Sequence, residues 1–151
     1  HLHIRRIKGK RGHGTDKLPI VGAFDRNSGQ VLVAVEPKKL DIQFIVRTLK
    51  RHARKGTPIY TDGFKMYRQL SRHGFHHEYV DHDSGEYVRD DVHTNNIEGF
   101  WGILKRSMGC IGGMRKKYLP LFVGEIAWRF NRRSDTPREK EQALLKLVLS
   151  K

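Results

Sequence analysis

Between residues 18 and 80 the apolar pattern of this chain switches repeatedly between a two-residue and a helical period, and that order restricts the fold more than any other feature. Leu18–Phe24 and Gln30–Val35 are short β-branched runs parted by Asp25-Arg26-Asn27-Ser28-Gly29, a cluster with turn chemistry, so a β-hairpin is predicted. After Pro37 the period changes. Ile42, Ile45, Val46 and Leu49 recur at one helical face, with Asp41 near the start and Gly56 beyond the end, which predicts a helix. Thr57–Thr61 reads as a strand, Phe64–Leu70 as a helix closed by Gly74, and His76–Val80 as a further strand. The order is that of a mixed α/β fold with a right-handed crossover returning to the sheet.

The second half reads as helical. Ile97, Trp101, Leu104 and Met108 place a stripe on Asn95–Met108, with Gly109, Gly112 and Gly113 expected to stop it. Leu119 to Arg132 and Pro137 to Leu149 are two more amphipathic helices, Pro120 being tolerated in a first turn. Trp101 and Trp128 lie beside apolar stripes and are expected to anchor the core. Residues 1–17 carry six Lys or Arg, one Asp and three Gly, and are read as a basic, Gly-rich arm following a phosphate backbone. Residues 18–151 are then a single domain.

At 151 residues the chain can bury a real core, and thirty Lys and Arg against sixteen Asp and Glu give it a charge of +14. Such a field attracts a polyanion, and nucleic acid is the expected partner. No run has the length of a membrane span and no signal peptide opens the chain, so the expected location is the cytoplasm, at the nucleoid. The chain opens on His1 rather than Met, so natural residues are expected upstream. Cys110 is the one cysteine, excluding an internal disulfide and a thiolate zinc cluster, and the nine histidines show no HExxH spacing.

Six carboxylates, Glu78, Asp81, Asp83, Glu86, Asp90 and Asp91, crowd together around Ser84-Gly85 and read as a solvated loop without fixed geometry. Asp62 differs because it closes the apolar run Pro58–Thr61 before Gly63, and ligands in open α/β sheets gather at the carboxyl ends of strands. A turn or helix cap is the competing structural role. Glu98 falls in the first turn of its helix, where a carboxylate also complements the helix dipole. Lys105 lies nearly two turns on, so Glu98, Gly102 and Lys105 share one side. A carboxylate for metal and a cation for phosphate would look the same way. Phosphodiester cleavage by in-line attack is helped by two divalent ions held on such carboxylates.

The blocks Lys10-Arg11-Gly12-His13-Gly14, Leu18-Pro19-Ile20-Val21-Gly22, Ile59-Tyr60-Thr61-Asp62-Gly63-Phe64 with Tyr67, Glu86-Tyr87-Val88, His93 to Arg106, and Arg129-Phe130-Asn131-Arg132-Arg133 resemble, in order, the DDE-type transposases of bacterial insertion sequences, in the ISXO-like transposase domain family. The His-Thr-Asn and Ile-Glu-Gly-Phe-Trp cluster is the specific part. The resemblance implies a ribonuclease-H-like mixed sheet flanked by helices, with a helical C-terminal part, presenting two Asp and one Glu (Asn in some relatives) to two Mg²⁺ or Mn²⁺ ions. Such enzymes nick double-stranded DNA at the element's ends and join the freed 3′-hydroxyl to target DNA. It assigns Asp62 and Glu98 as catalytic metal ligands and Lys105 as a DNA contact. Arg106 beside it, and Lys8, Lys10 and Arg11 among the glycines of the basic arm, are read from their charge as further DNA-binding cations. His93 and Asn95 would support the site, and a homo-oligomer in a synaptic complex is implied.

The family's first catalytic Asp, on the opening strand, projects just upstream of His1, so that strand is expected to be truncated and the chain incomplete as a catalyst. Asp16 and Asp25, the acids nearest to it, both sit in turn-like contexts. Two alternatives stand beside this reading: a ribonuclease-H-like nuclease that never rejoins, and a DNA-binding remnant or repurposed transposase without chemistry.

Overall fold

A computed structural model describes residues 2–6, 18–36, 40–53, 56–62, 64–80, 95–111 and 115–150 of the chain. Five strands form one mixed sheet, β1 (Leu2–Arg6), β2 (Ile20–Asp25), β3 (Gln30–Val35), β4 (Ile59–Asp62) and β5 (His77–Val80), in the order β3-β2-β1-β4-β5. β1 runs antiparallel to β2 and parallel to β4, and β5 is parallel to β4. Parallel neighbours require crossovers: α1 (Ile42–His52) carries the chain from β3 to β4, and a 3-10 helix (Lys65–His73) carries it to β5.

The predicted hairpin is β2–β3. Its turn is closed by Asp25, whose carboxylate accepts from the Asn27 N–H at 3.1 Å and the Ser28 hydroxyl at 2.8 Å, while Gly29 takes φ +68°, a conformation that favours glycine. The predicted first helix is α1, capped by Asp41, which accepts from the Phe44 N–H at 2.7 Å. The segment 65–73 is helical but of the tighter kind. Tyr67 and Leu70, three apart and both fully buried, stack on one line of a three-residue turn.

Two readings need correction. The arm assigned to 1–17 does not hold over Leu2–Arg6, which form the strand at the centre of the sheet, with Leu2 and Ile4 buried; residues 7–17 lie outside the described residues. Polar His3, Arg5 and Arg6 masked a strand whose alternate positions, Leu2 and Ile4, are apolar. The opening strand is present in the sheet: β1 pairs with β2 over five residues, from Leu2↔Asp25 to Arg6↔Val21. In addition, α2 (Asn95–Cys110) runs through Gly109 rather than stopping there, while Gly112 and Gly113 lie outside the described residues. So does the acidic loop from Asp81 to Asp91.

Two apolar clusters lie on the two faces of the sheet. On one, Leu2, Ile4, Val21, Ala23 and Ile59 meet α1 and the 3-10 helix through Ile45, Leu49, Tyr67 and Leu70. On the other, Ile20, Phe24 and Val31 meet α2 and α3 (Leu119–Asn131) through Ile97, Phe100, Trp101, Leu104 and Val123. Trp101 explains Gly22: a Cβ built there would lie 2.6 Å from the indole ring, so the ring rests where a side chain would otherwise stand. The last helix, α4 (Pro137–Leu149), begins with a capping box between Thr136 and Glu139 and contributes only Ala143 to the buried residues.

The outer edge of β3 is capped at Val31 by a side chain. Asn131, at the end of α3, accepts from the Val31 N–H at 2.7 Å and donates to the Val31 carbonyl at 2.9 Å, as a neighbouring strand would. Arg133 adds a bond to the Gly29 carbonyl at 3.0 Å. Asn131→Ala is expected to cost about 1–3 kcal/mol, because the buried Val31 N–H loses its partner. Urea unfolding measures this, and Asn131→Asp, which keeps an acceptor and loses the donor, should fall between.

Candidate active site

Asp62 is placed by β4, a strand held on both sides by parallel neighbours and anchored by fully buried Ile59. Thr61 is in register with Ile4, on the α1 face, and is buried. Strand alternation therefore assigns position 62 to the opposite face, the one on which α2 packs. Asp62 ends its strand, as the sequence suggested.

Glu98 and Lys105 are both exposed on α2, while Ile97, Phe100, Trp101 and Leu104 turn inward. Which way their flank looks follows from the neighbours. α3 packs on β3, and α2 packs on β2 and β1. Phe100 touches Phe130 of α3, with ring centroids 5.4 Å apart, so the Phe100 side of α2 faces α3. At about 100° per residue, Glu98 and Lys105 lie well round the helix from Phe100, on the flank turned from α3. Across the sheet from α3 come β1 and then β4. The Arg106 guanidinium lies over Gly102, 3.6 Å from where its Cβ would be, so both cations border this flank.

The remaining predicted residues are not brought to this place among the described residues. Lys8, Lys10, Arg11 and His93 lie outside them, and Asn95 is placed only as the first residue of α2. Asp16 also lies outside them. Asp25 pairs with Leu2, at the opposite end of β1 from the carboxyl end of β4, and its carboxylate is engaged in the turn. Burial raises its pKa, but the Ser28 hydroxyl and the Asn27 N–H outweigh that and hold the carboxyl below its ordinary value. It cannot stand in for an acid beside Asp62.

The chemistry of the donors tests the implied metal centre. Carboxylates are the hard oxygen ligands that Mg²⁺ prefers. The central strand beside β4, however, reads Leu2-His3-Ile4-Arg5-Arg6 and carries no acid. Among the described residues no group of three or more His, Cys, Asp or Glu could hold an ion. A complete two-ion centre therefore does not fit the described residues.

One residue near Asp62 is not signalled by the sequence, where His77 is one of nine histidines without metal-ligand spacing. It is half-buried on β5, and its Nε2 lies 2.8 Å from Thr61 Oγ1, tying β5 to β4 one residue before Asp62. Burial pushes the imidazole below its usual value, against the Glu78 charge, which raises it. The unfolded chain thus takes up this proton first, near pH 6.5, and the folded state resists it. Stability linked to His77 is intact above that pH and is lost as pH falls from there through the lower folded value. His77→Gln should flatten the acid side of a plot of unfolding free energy against pH; an unchanged slope would exclude this role.

The sequence profile of the ISXO2-like transposase domain matches residues 2–131, from the first residue of β1 to the Asn131 that closes the β3 edge. The chain belongs to the ISXO2-like transposase domain family. Its relatives agree. A protein of the transposable element ISH50 of Halobacterium salinarum is 33% identical over 144 residues, which cover 92% of this chain and 47% of that protein. A transposase-like protein of Haemophilus influenzae is 33% identical over 73 residues, 48% of this chain and 58% of that protein. The chain thus spans about half the length of these relatives. Among the described residues no helix is long and apolar enough to cross a membrane.

Proposed function

We propose that this chain is part of the catalytic core of an insertion-sequence DDE transposase, a polynucleotidyl transferase that cuts double-stranded DNA at the element's ends and joins the 3′-hydroxyl to target DNA. One observation carries the reading: Asp62 closes a strand on the α2 face of the sheet, and the α2 flank bearing Glu98 and Lys105 is turned toward that side. A sheet of three antiparallel strands continued by two parallel ones, with helices on both faces, supports a ribonuclease-H-like fold. Asp62 and Glu98 are the two carboxylates of the site. Lys105 and Arg106 hold the phosphate backbone beside them, and Asp62 and Glu98 are the residues of this chain that would hold divalent ions once a further acid completes the set, the ions then offsetting charge on the reacting oxygens. Lys8, Lys10 and Arg11 add backbone contacts, His93 and Asn95 support the α2 end of the site, and synapsis uses a homo-oligomer.

Since β1 contributes no acid, the 151-residue chain should be silent in cleavage and strand transfer. Extending it with its native flanking residues on both sides, so that an acid from outside β1 completes the site, should restore both. The assay uses Mg²⁺, a pre-cut element end and a supercoiled target. Robust cleavage by the unextended chain would overturn the incompleteness. Hydrolysis without joined products from the extended chain would instead mark a nuclease, and duplex binding without either reaction a remnant.

A further inference from the structure

From 42 to 77 the sequence holds eight Lys or Arg against one acid, Asp62, and the fold gathers most of that charge on one surface. Arg47, Lys50 and Arg51 are exposed on α1, and Lys65, Arg68 and Arg72 are exposed on the 3-10 helix. The two helices pack against each other on the same face of the sheet, and neither contains a carboxylate. On α1, Arg47 and Arg51 lie opposite the buried stripe of Ile45, Val46 and Leu49, and so point away from the sheet, while Lys50 lies at about a right angle to it. Glu78, exposed on β5, lies 4.0 Å from His76. This surface is on the other side of the sheet from Glu98 and Lys105.

We infer that the outer surface of α1 and the 3-10 helix is a second duplex-binding face, gripping the phosphate backbone of a DNA segment on the side of the sheet opposite α2. Two rows of cations stand on rigid helices whose axes are about 8–10 Å apart. Within a row, the step from Arg47 to Arg51 and the step from Lys65 to Arg68 each advance about 6 Å along the axis. That is close to two phosphate steps of about 3.4 Å on one strand. The aromatic residues of these helices, Phe44 and Tyr67, are not exposed, so the surface offers charge without a platform for unpaired bases. Backbone contact without sequence readout is the result. Naming DNA as the polyanion rests on the proposed transposase function; the two faces let one chain hold two duplexes.

Fluorescence anisotropy of the 151-residue chain with a labelled duplex of arbitrary sequence, across a salt series, tests this. The triple variant Arg47→Gln, Arg51→Gln, Arg68→Gln should flatten the slope of log K against log salt by about 0.9 per lost contact, about 2.7 in all. The control Arg138→Gln, Lys140→Gln, Lys146→Gln on α4 removes equal charge and should leave the slope nearly unchanged. Circular dichroism melts check that both remain folded. Equal shifts in both variants, or none in the first, would overturn the inference. So would loss of binding to anionic vesicles in the first variant with duplex binding intact. If Lys105→Ala with Arg106→Ala alone abolishes duplex binding, this face fails while the proposed function stands; a chain that binds no duplex at all removes both.

Discussion

Asp62→Asn in the extended, active chain is expected to lower strand transfer at least about a thousandfold, a loss of about 4 kcal/mol of transition-state stabilisation. The carboxamide keeps the size of the side chain and its place at the end of β4, but it lacks the negative charge that a hard divalent cation requires. Glu98→Gln should behave alike. Both are neutral changes in shape, so melting temperature and duplex affinity should stay within experimental error of the parent. Lys105→Ala should do the reverse, weakening duplex binding and flattening its salt dependence by about one unit. Strand-transfer gels and anisotropy run on the same preparations separate the two classes. Full activity in Asp62→Asn would remove this carboxylate from the site.

Phe100→Ala is expected to cost about 3–5 kcal/mol. The ring is fully buried, meets Trp101 at 5.1 Å and Phe130 at 5.4 Å between centroids, and sits where α2, α3 and the sheet converge. Truncation leaves a cavity that these neighbours cannot fill without moving α3. Against a total stability of about 5–15 kcal/mol the loss is large, and the melting temperature should fall by about 10 °C. Phe100→Leu, which keeps most of the volume, should cost much less. Because α2 also carries Glu98, the alanine variant should lose duplex affinity together with its fold on warming, unlike Asp62→Asn.

The elements that announce themselves in the sequence are those with one dominant period. Ile42, Ile45, Val46 and Leu49 mark α1, and Ile97, Trp101 and Leu104 mark α2, because each stripe is the face the helix buries. β2 and β3 are legible from β-branched residues around a turn that Asp25 and Gly29 close. β1 is not, because only Leu2 and Ile4 carry its pattern while His3, Arg5 and Arg6 read as part of a basic tail. The end of β4 at Asp62 and the start of α2 before Glu98 are both local features and can be read directly. Which way the Glu98 flank looks cannot, since it depends on Phe100 meeting Phe130, far along the chain. The Asn131 bond to Val31 and the Thr61 bond to His77 are likewise long-range, and no local spacing announces them.

The position of β1 has a bearing on how the molecule is made. It is synthesised ahead of its partners, yet its two neighbours in the sheet are β2 and the much later β4, so it waits for the ribosome to deliver residues 59–62 before both its edges are satisfied. Until then β1 can pair only with the hairpin, and non-local pairing of this kind slows collapse to the native state. A nascent chain paused before residue 59 would display a half-built sheet with an open side, the species that chaperones recognise.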